Sequence, residues 1–585
     1  MSDAVGFGFL LLGVGLMAVR PTPRSLKPGT RAGRTDLLIF AAALAVRVLY
    51  LMSIRHAYCF SHLQTDALRY QQWAGLILDA PTPPRPPFEQ SPGYPYLVAA
   101  VFALGGRTLM AVALVQAALD ALTCSLIAAT GRHWFGARAG QVAGWLAALY
   151  GPFIYFSAQL LPVTPFIFLC LAALWTAQRR RWWLAGLLWA AALVVRAEVV
   201  FALPLIGLDA WWRGRGAALL RTAAPVAACV AVFIALNAAF SPYVVVLTTS
   251  GGENLWLGNN PYADGVNPFV TGPLETVAEG VRVAAHNEAA VIDRELRDRA
   301  LAFWRTAPVP ATRLLVRKFL WTWTARELPN TSDIEWETAQ SWLFRLRLLP
   351  ISFGLVLPFA FAGAALLGAR PLGRHERPRQ RDLALLGVPL LIGLASCVVF
   401  FTNARFRLIM VPSLLWLAAC ALDRLPVILG SPRTNARGLV VAAGGVAVGA
   451  LAAWGNYDGV WGYRVPQISV NTGIIERESG DFTGAVRDLR DGLAGDPTDG
   501  IAWVHLALAL EQGGNASAAL AAYLDGVVAA PGDDEVQQMA ERFCRLHHLD
   551  TATLRAYIAS PSPGERSALR RQLEASLPAP TPATP

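Results

Sequence analysis

RHAYCFSHLQTDALRYQQWAGLILDAPTPPRPPFEQSPGYPY, residues 55–96, lies between two apolar segments of membrane-spanning length. A plain connector between helices takes only a few residues, and longer loops with internal order tend to carry function. After Asp66 the apolar residues Leu68, Trp73, Leu76 and Ile77 recur at near-helical spacing, which predicts a helix lying along a membrane interface. A carboxylate just outside the bilayer, on a segment returning to it, can act as a general base toward a hydroxyl whose co-reactant is held in lipid. Asp66 is therefore the first catalytic candidate. Thr65-Asp66 also reads as the N-cap of the helix that follows, and SPGYPY (91–96) reads as a helix-entry turn.

Outward from this loop the chain is membrane protein. Of its 585 residues 55% are hydrophobic and 15% charged, with a mean hydropathy of +0.42, whereas a soluble domain carries roughly a quarter charged residues. The net charge of +10 comes from arginines in short clusters between apolar runs, where the positive-inside rule puts them. The charge thus reports topology and gives no ground for a nucleic-acid partner. The seven cysteines include no CxxC pair, so neither a zinc site nor a disulfide framework is read. The fold class expected is all-α, a polytopic transmembrane helical bundle.

The apolar run 4–19 is read as a first span with its N-terminus outside, because basic residues (Arg20, Arg24, Lys27, Arg31, Arg34) follow it. Further spans are expected at about 37–54, 108–130, 139–158, 160–178, 218–240, 346–369, 383–402, 407–422 and 438–455. Arg47 within the second span either snorkels or faces a polar cavity. Residues 184–211 are interrupted at Arg196, Glu198 and Pro204, and are expected to form a hairpin of two short helices turning near Arg196. The clusters at 179–181, 213–221, 370–381 and 424–437 mark the cytoplasmic side. By parity the loop 55–107, a second ordered unit at 241–345 and the C-terminus are extracytoplasmic. The membrane domain is placed at 1–455, a linker at 456–466, helical repeats at 467–557 and a disordered tail at 558–585.

In the C-terminal part a 34-residue period is visible: Gly480 recurs at Gly514, Ala485 at Ala519 and Pro497 at Pro531. This pattern resembles tetratricopeptide (TPR) repeats, with a degenerate third repeat over 535–557, and implies a protein or peptide partner in the concave face.

The order of an arginine in the first core helix, TD-x-x-x-Y-x-x-x-A (65–74), P-x-Y-P (92–95), YGPFIYFS (150–157), LWLGNNPYADG (255–265) and ARFRLIMVP (404–412) resembles the protein O-mannosyltransferase and aminoarabinose-transferase group of membrane glycosyltransferases, the GT-C fold. The resemblance covers roughly residues 35–455. It implies a polyprenyl-phosphate-linked sugar donor used on the outer face, with the first-loop aspartate, here Asp66, positioning or deprotonating the acceptor. Where such enzymes often carry a second acidic residue this chain reads SAQLLPVTP (157–165), so that polar role falls to Gln159 or Thr164.

Departure of a lipid phosphate needs cationic donors, and arginine's planar fork grips phosphate oxygens bidentately. Arg405 and Arg407, at an outer turn, depart from the positive-inside trend, and Lys318 and Arg326 lie near the end of the second outer unit. These four are the candidate phosphate ligands. Tyr70 and Tyr94 from the loop, with Glu253, Asn259, Asn260 and Asp264 from GGENLWLGNNPYADG (251–265), are the candidate sugar and acceptor ligands; that run is also ordinary turn chemistry. Trp321, Trp323 and Trp336 read as interfacial belt or site lining. His56, His62 and His286 lack metal-ligand spacing, and Glu327 and Asp333 are too sparse for a divalent cation site, so no cofactor or metal is expected. No glycine-rich nucleotide motif is present, which places the donor in the membrane.

The function expected is a multi-pass bacterial inner-membrane glycosyltransferase acting by inversion, with a periplasmic active site and a periplasmic repeat domain. A polysaccharide polymerase or ligase with a pyrophosphate-linked donor, a transporter or flippase, and a repeat-based assembly scaffold are the alternatives.

Overall fold

The computed structural model describes residues 28–82, 84–212, 216–267, 269–270, 273–329, 332–346, 351–369, 383–430, 432–433 and 435–577. The expected first span at 4–19 and the basic cluster at 370–381 lie outside the described residues. The chain is all-helical, and among the described residues the only β pairing is an isolated bridge between Tyr150 and Ile351. Two compact units divide it: 1–268 with 281–330 and 334–462, and 269–280 with 331–333 and 463–585.

The first unit is a multi-pass membrane bundle. Among the described residues five helices are long and apolar enough to cross a membrane: Gly33–Ile54, Leu109–Phe135, Gly216–Phe240, Ala404–Gly430 and Ala436–Trp454. Gly151–Ala158 and Val163–Gln178 make a sixth if taken as one span broken by a 118° bend. Shorter apolar helices, among them Gly93–Gly105, Trp182–Val195, Phe353–Gly368 and Ala384–Val399, complete it. The expected span 139–158 is two helices, Ala137–Ala148 and Gly151–Ala158. Breaking a helix at membrane depth orphans backbone groups that lipid cannot satisfy. Here the Arg47 guanidinium donates to the carbonyls of Ala147 and Ala148, at 3.3 and 2.5 Å, and Ile351 exchanges backbone bonds with Leu149 and Gly151. Arg47 therefore neither snorkels nor faces a cavity: it is fully buried and also pairs with Asp120 at 2.6 Å.

The hairpin at 184–211 turns as expected: Trp182–Val195 ends at Arg196, a 3-10 turn runs over Ala197–Ala202, and Leu203–Trp212 follows. The expected span 407–422 starts earlier and continues to Gly430, so Arg424 lies inside the helix, buried, and donates to the Cys420 carbonyl, instead of closing a loop. The described residues of 241–345 form the helices Gly251–Leu257, Pro273–Ala284, Ala289–Thr306, Pro308–Thr322, Ile334–Ala339 and Trp342–Arg345, with 269–280 and 331–333 falling to the second unit.

The second unit contains three successive helix pairs: Pro466–Ser479 with Phe482–Gly495, Gly500–Gln512 with Ala516–Ala529, and Asp534–Leu546 with Thr551–Ala559. Asp481, Asn515 and Asp550 cap the second helix of each pair through their side chains. The turn within each pair is left-handed, at Gly480 (φ +91°), Gly514 (φ +81°) and His548 (φ +56°). These positions keep the 34-residue spacing, so the third pair retains the turn conformation after losing its glycine. A seventh helix, Pro563–Ala575, buries Leu573. It stands where the sequence analysis expects disorder; the apolar residues Leu569 and Leu573, packed into the repeat core, outweigh the Pro and Ser content on either side.

Candidate active site

The helix predicted from the loop pattern is present as Thr65–Asp79, but Asp66 does not cap it. Gln64 holds the cap position without a side-chain bond, and Asp66 sits in the first turn, where the helix dipole still favours its negative charge. Thr65 takes φ +49°, a left-handed conformation costly for a β-branched residue. This conformation immediately precedes Asp66. That carboxylate accepts from Arg405 Nη1 at 2.8 Å. Burial pushes the Asp66 pKa up, but the charge and hydrogen bond of Arg405, aided by Arg69 and Gln90, outweigh it and hold the group below the ordinary carboxylate value. The Nε of Arg405 is buried with no hydrogen-bond partner, so one face of this guanidinium is unsatisfied within the site.

Two tyrosines close the site from the loop side. Tyr70, one turn beyond Asp66, meets Tyr94 edge-on with ring centroids 5.1 Å apart. The Tyr94 hydroxyl donates to Gln116 Oε1 at 2.9 Å, and Gln116 Nε2 donates to the Gln159 carbonyl at 2.7 Å. Gln159 and Tyr155 in turn both donate to one oxygen of Glu337, each at 2.8 Å. A carboxylate from the distant helix Ile334–Ala339 thus meets the 157–165 turn, a contact that nothing in the sequence spacing announces. Thr164 donates to the Phe156 carbonyl and stays in the backbone of the bend.

Arg196 and Glu198, read in the sequence only as interruptions of the hairpin, also come to this site. They pair with each other, and the Arg196 guanidinium lies over the Phe406 ring at 5.0 Å while Arg405 lies over the same ring at 5.5 Å. The charged interruption of an apolar helix was the available signal.

The other candidates fall into structural roles. Arg407, buried, donates to the carbonyls of Thr322, Thr324 and Arg326 and pairs with Glu327 at 2.6 Å. Arg326 donates to the Val460 carbonyl. Lys318 is fully buried and donates to the Gly258 carbonyl, Asn259 Oδ1 and the Phe400 carbonyl at 3.1, 3.2 and 3.0 Å; burial pushes its pKa down to about 7. In this structure Arg407, Arg326 and Lys318 thus fasten the backbone that carries Arg405. Within 251–265, Asn259 donates to the Leu255 and Val399 carbonyls, Asn260 closes the turn at Tyr262, and Asp264 accepts from the amides of Val266 and Asn267. This is the turn chemistry that competed with sugar binding, and it engages both ends of the Asn259 and Asn260 amides. Glu253 differs: it is half-buried, and burial followed by repulsion from Glu89 raises its pKa. Trp321 donates to the Tyr457 carbonyl, and Trp323 packs edge-on against Phe361. Among the described residues no three His, Cys, Asp or Glu side chains gather as a metal set.

Residues 87–245 match the model of the dolichyl-phosphate-mannose-protein mannosyltransferase family. This stretch contains Tyr94, Gln159, Arg196 and Glu198, and the GT-C resemblance read from the motifs is met there independently. No curated protein matches the chain. Among solved structures, the chain is similar to the crystal structure of the Archaeoglobus fulgidus oligosaccharyltransferase tethered with an acceptor peptide containing the NVT sequon, at 16% identity and a TM-score of 0.41, over 76% of this chain and 57% of that one. It is also similar to the archaeal oligosaccharyltransferase AglB from Archaeoglobus fulgidus in complex with an inhibitory peptide and a dolichol-phosphate, at 14% identity and a TM-score of 0.37, over 76% and 58%. The chain thus spans somewhat over half the length of these structures.

Proposed function

We propose that the protein is a membrane glycosyltransferase that moves a sugar from a polyprenyl-phosphate-linked donor to an acceptor hydroxyl, with inversion, on the periplasmic face of a bacterial inner membrane. The observation that carries this reading is the pairing of Asp66 with Arg405, whose Nε is buried and unbonded. In the resting site the pair holds Asp66 as an anion too well stabilised to be a strong base. When the donor phosphate takes Arg405, Asp66 loses its counter-charge and gains basicity. The acceptor oxygen then attacks the anomeric carbon and its proton passes to Asp66. The bond from that carbon to the phosphate oxygen breaks, and the electron pair stays on the phosphate beside Arg405. Tyr70, backed by the fully buried Tyr94, and Glu253 supply aromatic and polar surface for the sugar and the acceptor.

The family match and the membrane bundle support the class of reaction. We assign the 467–557 repeats to a protein or peptide partner, on the helix-pair architecture. The test is transfer of labelled sugar from polyprenyl-phosphate donors by the purified protein in nanodiscs. Activity in wild type that is abolished in Asp66→Asn supports the reading, and full activity in a folded Asp66→Asn overturns the base assignment.

A further inference from the structure

Arg405 does not meet an anion alone. Arg196 reaches the same aromatic ring from a different part of the chain: its guanidinium carbon is 5.0 Å from the Phe406 centroid and 5.5 Å from that of Phe166, and the residue is only 8% exposed. Two guanidinium groups against one ring repel each other unless negative charge stands by. Here each is neutralised by its own carboxylate, Asp66 for Arg405 and Glu198 for Arg196. The two pairs are not separate: Glu198 is within electrostatic reach of Arg405, and the Tyr70 hydroxyl feels Asp66, Arg405, Arg196 and Glu198 together. A pair made only to staple the 3-10 turn at 197–202 would serve as well on the lipid side of the hairpin, without a second arginine beside it.

We propose that Arg196 is a second ligand of the donor phosphate, and that Glu198 is the carboxylate that occupies Arg196 until the phosphate arrives. The inference rests on the glycosyltransferase reading and extends it. The phosphate is gripped by the two arginines that share the Phe406 ring, each exchanging an internal carboxylate for a phosphate oxygen. The four side chains carry no net charge before binding, which keeps the two buried cations tolerable in an empty site. Glu198 competes with the ligand, so its removal strengthens phosphate binding where a merely structural partner would weaken it.

The experiment measures binding of a long-chain polyprenyl monophosphate, and of the matching uncharged polyprenol, to the full-length protein in nanodiscs. The variants are Arg196→Gln, Glu198→Gln and Arg405→Gln, with thermal unfolding recorded for each. The proposal expects Arg196→Gln to lose about ten-fold or more in phosphate affinity with polyprenol binding unchanged, and Glu198→Gln to gain several-fold. Loss in Arg405→Gln alone, or an equal loss in Arg196→Gln and Glu198→Gln, overturns the role of Arg196 and leaves the donor reading standing. Wild type that binds phosphate and alcohol equally overturns both. If Arg196→Gln does not fold, Glu198→Gln decides: a gain supports the proposal, and no gain or a loss ends it.

Discussion

The carboxylate of Asp66 and the guanidinium of Arg405, 339 residues apart in the chain, meet at 2.8 Å. On the proposed mechanism each occupies the group with which the other acts on substrate, so the resting pair holds both in check. Asp66→Asn is expected to lower turnover by about 10²- to 10⁴-fold, the range of a general base. Arg405→Lys, which keeps the charge but loses the fork, should raise KM for the lipid donor more than it lowers kcat. Steady-state kinetics with one donor checks both.

The two acidic groups near the site give opposite pH signatures. The folded pKa of Asp66 is depressed, so its contribution to stability is present above the unfolded value of about 3.9 and is lost as pH falls through the folded value. Glu253 is raised, so its contribution is complete below its unfolded value of about 4.3 and is lost as pH rises through the folded value. Glu253→Gln should therefore raise the Tm at pH 7 and match wild type near pH 4. If Glu253 also touches the acceptor, the same variant gains stability and loses activity. Thermal unfolding against pH in detergent measures the first effect, and transfer assays the second.

Arg47 and Asp120 form a buried pair whose arginine also caps the broken helix at Ala148. Asp120→Leu leaves an uncompensated buried charge and should cost about 3–5 kcal/mol. Arg47→Met with Asp120→Leu should recover part of that loss but not all, because the Ala147 and Ala148 carbonyls stay unpaired. Unfolding of the two variants side by side separates the ion pair from the cap.

Lys318 ties the 258–260 turn to Phe400, five residues before Arg405. Lys318→Met keeps the stem and strands the acceptors, at an expected cost of about 2–4 kcal/mol. Phosphate affinity should fall only modestly, since the amine is turned into the protein. A loss as deep as that of Arg405→Gln would make Lys318 a ligand after all. Calorimetry and lipid binding on the same preparation distinguish the two.

His548 stands at φ +56° where the two preceding repeats have glycine. His548→Gly should stabilise the repeat unit by about 1 kcal/mol, since the left-handed conformation costs a side-chain-bearing residue about that much. Urea unfolding followed through the repeat tryptophan, Trp503, reads the change.

Much of the membrane architecture was legible because lipid admits so few solutions: apolar run length gives the spans, and the charged break at Arg196 gives the hairpin. Asp66 and Arg405 were each legible as misplaced charges, but their pairing was not, because no local periodicity links residues so far apart. The same reason hid Glu337, whose partners Tyr155 and Gln159 lie more than 170 residues upstream. The role of Asn259, Asn260 and Asp264 was not legible, because a turn and a sugar site draw on the same residue types. The helix Pro563–Ala575 was missed because its apolar face rests on Leu569 and Leu573 alone, within a stretch rich in Pro, Ala and Ser.

The spacing of these partners also orders events in time. At about 5–20 residues per second, translation makes Asp66 roughly 20–70 s before Arg405 exists. For that interval the nascent chain carries the Asp66 carboxylate without its arginine, while the helices beside it have already entered the membrane. The arginine that closes the pair is made long after the carboxylate it meets. A ribosome stalled before Arg405 would therefore leave a bundle that is inserted but open at its centre, which is the form a membrane chaperone or protease would meet first.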